Sequence, residues 1–334
     1  MMTKKRILSG NRPTGKLHWG NYFGALKNWV ELQNQYDCFF FIADWHALTT
    51  AYEHPEGIAP AVLDSLKDWL ACGIDPQKST LFIQSWVPEH AELHLLLAMM
   101  TPLGWLERVP SFKDMQAELS GKDLNTYGFL GYPLLQTADI LLYRSNFVPV
   151  GEDQVAHIEL SREVVRRFHH LTKQENVFVE PQPLLTKAAR VPGTDGRKMS
   201  KSFGNAIEIA ASNEEIAGKV MNTMTDPARK RRTDKGNPDV CHVYSYHKLF
   251  SDAATLQKVN TECRSAELGC VDCKKICLGA AQKFWQPIRE KRESFAGQDK
   301  QLLELLRAGS EQARKVVLPV INDVRDAIGV KYSW

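Results

Sequence analysis

No apolar run in this 334-residue chain approaches the ~18 residues that a membrane-crossing helix needs, so no membrane span is expected. The N-terminal Met1-Met2-Thr3-Lys4-Lys5-Arg6 is basic, but only Ile7 and Leu8 follow before Ser9 and Gly10. That is too short for the apolar region of a secretory signal, and the expected location is cytoplasmic. Internal repeats and low-complexity tracts are absent, which sets aside a solenoid and a disordered chain. Charge of one sign is nearly balanced at a net +3, so global charge says little about partners. What remains is an ordinary globular composition, 43% hydrophobic and 24% charged, long enough for two domains with their own cores.

Local features are more informative. Gly196-Arg197-Lys198-Met199-Ser200-Lys201-Ser202-Phe203-Gly204-Asn205 carries two lysines three apart, with Gly193, Gly196 and Gly204 letting the backbone move and approach a ligand. Two mobile ammonium groups suit a polyphosphate whose charge rises as a phosphoryl bond breaks. A lone Lys-x-x-Lys is ordinarily a solvated loop. Here a second phosphate-type loop, Pro13-Thr14-Gly15-Lys16-Leu17-His18-Trp19-Gly20-Asn21, lies near the N-terminus. In the C-terminal half, Arg229-Lys230-Arg231-Arg232 is a basic cluster suited to RNA phosphates. Of seven cysteines, five fall between 241 and 277, which in a cytosolic protein points to metal binding before disulfides.

Arg6-Ile7-Leu8-Ser9 reads as a strand entering the first loop, and Tyr22, Leu26, Trp29 and Val30 set a helix from about Asn21. The run Cys38-Phe39-Phe40-Phe41-Ile42-Ala43 suits a buried parallel strand. A helix over about 58–72 and a strand at 80–84 follow. This alternation predicts an α/β fold, a Rossmann-like doubly wound parallel sheet. Residues 88–122 break the rhythm, as extra core or as a helical insertion that also makes a subunit interface. Pro133 sits where a helix would begin, and Tyr132, Gln136 and Asp139 then share one face of it. A carboxylate among Leu134, Leu135, Ile140, Leu141 and Leu142 needs a partner. Phe147-Val148-Pro149-Val150 is a further strand, and Gly151-Glu152-Asp153-Gln154 turns from its end into a helix. Beyond Ile209 no strand is expected, only helices near 213–224, 275–294, 299–307 and 309–328. The domain boundary is placed near 205, giving a catalytic domain over 1–205 and a helical domain over 206–334.

Five ordered motifs then carry a family resemblance. Ser9-Gly10-x-x-Pro13-Thr14-Gly15-x-Leu17-His18, Asp44-x-His46-Ala47-Leu48-Thr49 and Tyr132-Pro133 with Ala138-Asp139-Ile140-Leu141 are three of them. The others are Val148-Pro149-Val150-Gly151-Glu152-Asp153-Gln154 and Lys198-Met199-Ser200-Lys201-Ser202. From end to end the chain resembles the bacterial tryptophanyl-tRNA synthetases, class I enzymes with paired HIGH and KMSKS signatures. The resemblance implies a homodimer with a Rossmann catalytic domain and a helical anticodon-binding domain. It also implies activation of L-tryptophan by ATP with Mg²⁺ and transfer to tRNA(Trp). His18, Gly20 and Asn21 would hold ATP beside Arg12, Pro13 and Thr14. Gly151, Glu152 and Asp153 would contact the nucleotide from the far side, with Val191 against the adenine. The loop of Lys198, Met199, Ser200, Lys201 and Ser202 would bind ATP too, and Lys198 and Lys201 would act catalytically on the departing pyrophosphate. Asp139 would accept the indole N–H, with His46, Tyr132, Gln136 and Gln154 lining the amino-acid pocket.

Two residues depart from the family pattern: Trp19 stands where a smaller aliphatic is usual, and Arg12 where many relatives have Gln. Tyrosyl-tRNA synthetases share Tyr132-x-x-x-Gln136-x-x-Asp139 but place a tyrosine on the first strand, where this chain has Leu8. A non-catalytic tRNA-binding relative is opposed by the intact Lys198 and Lys201, and a small-molecule nucleotidyltransferase would leave the helical C-terminal domain unexplained. Cys241, Cys263, Cys270 and Cys273 form a set that suits Zn²⁺ or an iron–sulfur cluster by ligand type. The resemblance favours a 4Fe–4S cluster, carried with nearly this spacing by a subset of the bacterial enzymes, with structural Zn²⁺ the alternative and Cys277 a spectator.

Overall fold

The computed structural model describes residues 4–110, 123–185 and 191–332. Its centre is a five-stranded parallel sheet: β1 (Arg6–Asn11), β2 (Asp37–Ile42), β3 (Ser79–Ile83), β4 (Phe147–Val150) and β5 (Gln182–Leu185). The strand order is β3-β2-β1-β4-β5, so the chain builds outward in one direction from β1 and then returns to its other side. Ligands of such sheets bind at this reversal, beyond the strands' C-terminal ends.

Alternation along the strands fills two cores. Ile7, Cys38 and Phe40 enter one, and Leu8, Phe39 and Phe41 the other. On the first face lie α1 (Trp19–Asn21), a π-helical turn over Tyr22–Leu26, and α2 (Lys27–Leu32). After α3 (Asp44–Ala51), α4 (Ile58–Ala71) joins them, stacking Trp69 edge-on against Trp29. The opposite face is covered by α5 (Glu89–Ala98), α6 (Leu103–Glu107), α7 (Tyr127–Leu142) and α8 (Val155–Thr172). The rest is helical: α9 (Asn213–Asn222), α10 (His242–Phe250), α11 (Ala253–Ser265), α12 (Cys270–Glu293) and α13 (Asp299–Ala327).

The parallel sheet and the helical C-terminal region agree with the sequence reading, and several local expectations change. Pro133 lies inside α7, which begins earlier because Thr126 caps it by accepting a bond from the Phe129 N–H. The missing proline N–H then removes one bond within the buried middle of the helix, where packing outweighs the loss. Strand β5 was not anticipated; its four residues are too few and too exposed to show a period. The helices expected at 299–307 and 309–328 are one. Gly309 does not break it but lets it lie against β3, where a Cβ would stand 1.8 Å from the Leu81 carbonyl oxygen. In this way α13 covers the edge strand β3, and the Ile83 N–H donates to Ser310 Oγ. Of the 88–122 insertion, α5 and α6 are helical, and 111–122 lie outside the described residues.

Candidate active site

A cleft of about 570 Å³ opens at the C-terminal ends of β1, β2 and β4, at the reversal of strand order. Leu8 and Gly10 from β1, Phe41 from β2 and Val150 from β4 form its apolar walls. Arg12, His46, Tyr132, Gln136, Asp139, Gly151, Gln154 and Lys198, all expected from the sequence, line it as well. Polar and apolar groups share the lining about equally, and convergent polar groups in a small-molecule site fix a ligand's orientation.

Asp139 is the deepest charge. Its Oδ2 accepts from His46 Nε2 at 2.8 Å, and its Oδ1 from His90 Nδ1 at 2.6 Å and Gln84 Nε2 at 2.8 Å. Burial alone would raise its pKa, but the bonds and charge of His46 and His90 outweigh it and hold the carboxyl well below the usual range. The sequence reading missed His90 and Gln84. Gln84 ends an apolar strand, His90 lies between Glu89 and Glu92, and both are separated from Asp139 along the chain, so no local pattern marks them.

The two signature loops meet at the outer end of the cleft. Lys201 Nζ donates to the Thr14 carbonyl at 3.3 Å, and Met199 N to the Val191 carbonyl at 3.4 Å. Gly20 lies against both, since a Cβ there would stand 3.0 Å from the His18 ring and 3.6 Å from Met199 Cβ. His18 N donates to Asn21 Oδ1 at 2.9 Å. Burial, then Lys201 and Lys198, pull the His18 pKa down to about 4, so its imidazole is neutral and carries no charge to the site. Lys201 is exposed overall, yet the surrounding protein strips enough water from its ammonium to lower it to about 8. Asn205 fixes the lysine loop, accepting from Ser200 N at 2.8 Å and donating to the Lys198 carbonyl at 3.1 Å and Asp195 at 2.7 Å.

Of the remaining expected residues, Pro13 is buried and Thr14 exposed in the first loop, and Glu152 is exposed in the turn after β4. Asp153 lies in that same turn, and Ser202 in the lysine loop beside Lys201.

Trp19 explains its own departure from the signature. It is fully buried, stacked 5.8 Å from Trp285 and edge-on to Phe250 at 4.8 Å and Tyr246 at 5.6 Å. A smaller aliphatic would leave this junction with α10 and α12 underfilled. Tyr246 Oη also donates to the Pro192 carbonyl at 2.9 Å, propping the base of the lysine loop.

The four cysteines are free; Cys241 is buried and Cys263, Cys270 and Cys273 are half-buried. They are electrostatic neighbours. Burial pushes the Cys273 thiol up to about 12, and Cys241, Cys263 and Cys270 add to the rise. Arg229 Nη1 lies 3.8 Å from Cys263 Sγ, and its buried Nε has no hydrogen-bond partner among the described residues. A cation beside clustered thiols, with a donor to spare, fits a set that becomes anionic on metal binding. As the side chains stand, no three His, Cys, Asp or Glu groups among the described residues form a metal-holding set. Cys277 packs in the core, its Sγ 3.9 Å from the Val243 carbonyl.

Comparison with known proteins agrees with this geometry. The family model for class I tRNA synthetases (W and Y) matches residues 2–286. A tryptophan–tRNA ligase from Ralstonia nicotianae is 45% identical, covering 99% of this chain and 100% of its own length. One from Thermotoga maritima is 48% identical over 98% of this chain and 100% of its own. A solved tryptophanyl-tRNA synthetase from Campylobacter jejuni, complexed with ADP and tryptophan, superposes with TM-score 0.87 at 33% identity, over 97% of this chain and 99% of that one. Signature loops that meet over a switch-point cleft, a family model over most of the length and relatives aligned end to end lead to one conclusion: the chain belongs to the class I tryptophanyl-tRNA synthetases.

Proposed function

We infer that this chain activates L-tryptophan with ATP and transfers the tryptophanyl group to tRNA(Trp). The observation that carries the reading is the ionised Asp139 in the lining of the cleft, bonded to His46, which lines it too. An indole N–H is the donor such a carboxylate selects. Leu8, in the wall of the same cleft, offers nothing to a phenol hydroxyl, which argues against tyrosine. His46, Tyr132, Gln136 and Gln154 hold the amino acid, and its carboxylate attacks the α-phosphorus of ATP. Arg12, Pro13, Thr14, His18, Gly20 and Asn21 hold the nucleotide on one side and Gly151, Glu152, Asp153 and Val191 on the other. Lys198 and Lys201, with Met199, Ser200 and Ser202 between and beside them, stabilise the charge gathering on pyrophosphate. Mg²⁺, when bound with ATP, neutralises part of the same charge. The 3′-terminal ribose hydroxyl of the tRNA then attacks the carbonyl of the tryptophanyl adenylate and expels AMP, so no protein nucleophile is needed.

Finer features belong to the same reading. Residues 1–205 form the catalytic unit and 206–334 the anticodon-binding unit. The protein works in the cytoplasm as a homodimer joined through the 88–122 insertion, where Leu95, Met99 and Leu103 are exposed on α5, α6 and the turn between them. Cys241, Cys263, Cys270 and Cys273 hold a 4Fe–4S cluster that braces the fold near Arg229–Arg232 and transfers no electrons. The neighbouring thiols and the spare donor of Arg229 support it. Brown, iron-containing protein after anaerobic purification is expected; colourless protein with zinc replaces the cluster by a zinc site, and metal-free protein removes both.

The deciding experiment is exchange between pyrophosphate and ATP across the twenty amino acids. Tryptophan should support it far better than tyrosine, by on the order of 10⁴-fold for a site that rejects a substrate lacking the required donor. Equal rates with tyrosine would refute the assignment.

A further inference from the structure

Three buried groups behind Asp139 have no part in the scheme above. Gln84 Nε2 and His90 Nδ1 both donate to Oδ1, and His90 Nε2 lies 2.9 Å from the Tyr143 hydroxyl. All three residues are fully buried, and none of them lines the cleft. A carboxylate accepts but does not donate, so Nδ1 of His90 carries the proton that faces Asp139. Burial raises Tyr143 well above the usual phenol range, so its hydroxyl stays protonated beside the histidine.

The geometry decides which acceptor remains for a ligand. A carboxylate has roughly four lone-pair sites, and three are already used. Two donors occupy Oδ1 from behind, whereas among the described residues Oδ2 is met only by His46, itself a wall of the cleft. The vacant site is therefore on the cleft-facing oxygen. The donors come from separate elements: Gln84 from the end of β3, His90 from α5, Tyr143 from the end of α7. The adjoining Glu89 is nearly buried and takes a two-pronged contact from Arg314 of α13, with Nη2 at 2.6 Å and Nε at 3.0 Å, which fixes the start of α5.

We propose that His90, supported by Tyr143 and joined by Gln84, is a positioning residue for amino-acid selection: it clamps Oδ1 of Asp139 so that Oδ2 is presented to the substrate's ring N–H. The proposal rests on the reading of Asp139 as the indole acceptor. Without the clamp the carboxylate can rotate or take up a proton, and a protonated acid no longer discriminates by its acceptor.

The test compares tryptophan with benzothienylalanine, in which sulfur replaces the ring N–H, in pyrophosphate exchange by the full-length protein. The native protein should strongly prefer tryptophan. His90→Leu should lower kcat/KM for tryptophan by about 10–100-fold, the scale of one hydrogen bond to a charged group. It should leave the analogue and the KM for ATP nearly unchanged, so that discrimination collapses. His90→Asn, whose amide can donate from near the Nδ1 position, should restore much of the preference. Gln84→Met, of similar shape, is read in the same way should His90→Leu fail to fold. Equal losses with both substrates, or full discrimination retained in folded His90→Leu, would overturn the clamp and leave the role of Asp139 intact. A native protein that does not discriminate at all would instead refute the Asp139 reading, and the clamp with it.

Discussion

Replacing Gly309 by alanine should destabilise this protein, although alanine is the better helix former. The residue lies inside α13, where the exchange would gain about 1 kcal/mol in an exposed helix. Here the added Cβ would stand 1.8 Å from the Leu81 carbonyl oxygen and 2.8 Å from its carbon. Ordinary C···O contact is roughly 3.3 Å, so helix and strand must separate by roughly 1.5 Å. The obstructing atom belongs to the backbone of β3 and cannot rotate away. Separation would open the packing of Ala313, Val317, Val320, Ile321 and Val324 against the sheet. Overpacking of this kind costs about 3 kcal/mol at the upper end of its usual range, which leaves a net loss near 2 kcal/mol. Gly279→Ala is the matched control: it also lies inside a helix, α12, but a Cβ there meets nothing within 4 Å. That variant should gain about 0.5–1 kcal/mol. Urea midpoints of the two variants should move in opposite directions from the native protein. Shifts of the same sign would show that α13 does not lie on β3 as described.

Other perturbations probe the junctions around the site. Arg292 Nε pairs with the buried Asp68 at 2.6 Å and its Nη2 with Asp64 at 2.8 Å; Arg292→Leu strands that charge and should cost ~3 kcal/mol in a urea titration, where a loss under ~0.5 kcal/mol would mark a solvated pair. Lys201, lowered to about 8 by loss of hydration, sheds its charge as pH rises through that value, so kcat/KM for ATP should fall above it. Lys201→Arg should carry the plateau to higher pH, and an identical alkaline limb in that variant would assign the fall elsewhere. Trp19→Leu should lose about 2–3 kcal/mol in thermal or urea unfolding, because it empties the pocket beside Trp285, Phe250 and Tyr246; an unchanged midpoint would show that the junction repacks without strain.

By itself the sequence determined what depends on neighbours along the chain. Apolar runs that alternate or saturate marked β1 to β4, the period of Val62, Leu66, Trp69 and Leu70 marked α4, and glycine and lysine spacing marked the two loops. Those signals sufficed for four of the five strands and for the helical character of the C-terminal region, whereas most of the side chains expected in the cleft came from the family resemblance. Tertiary structure decided what depends on residues far apart in sequence. It made one helix of 299–327 because β3 needs a glycine there, and it kept Pro133 inside α7 because a buried helix tolerates one lost bond. It gave the Trp19 ring a partner in Trp285 and set Gln84 and His90 behind Asp139. A buried carboxylate must find partners, and the sequence announces that need at Asp139. Which groups meet it is settled only when β3, α5 and α7 pack, because hydrogen bonds are formed in space and leave no periodic trace along the chain.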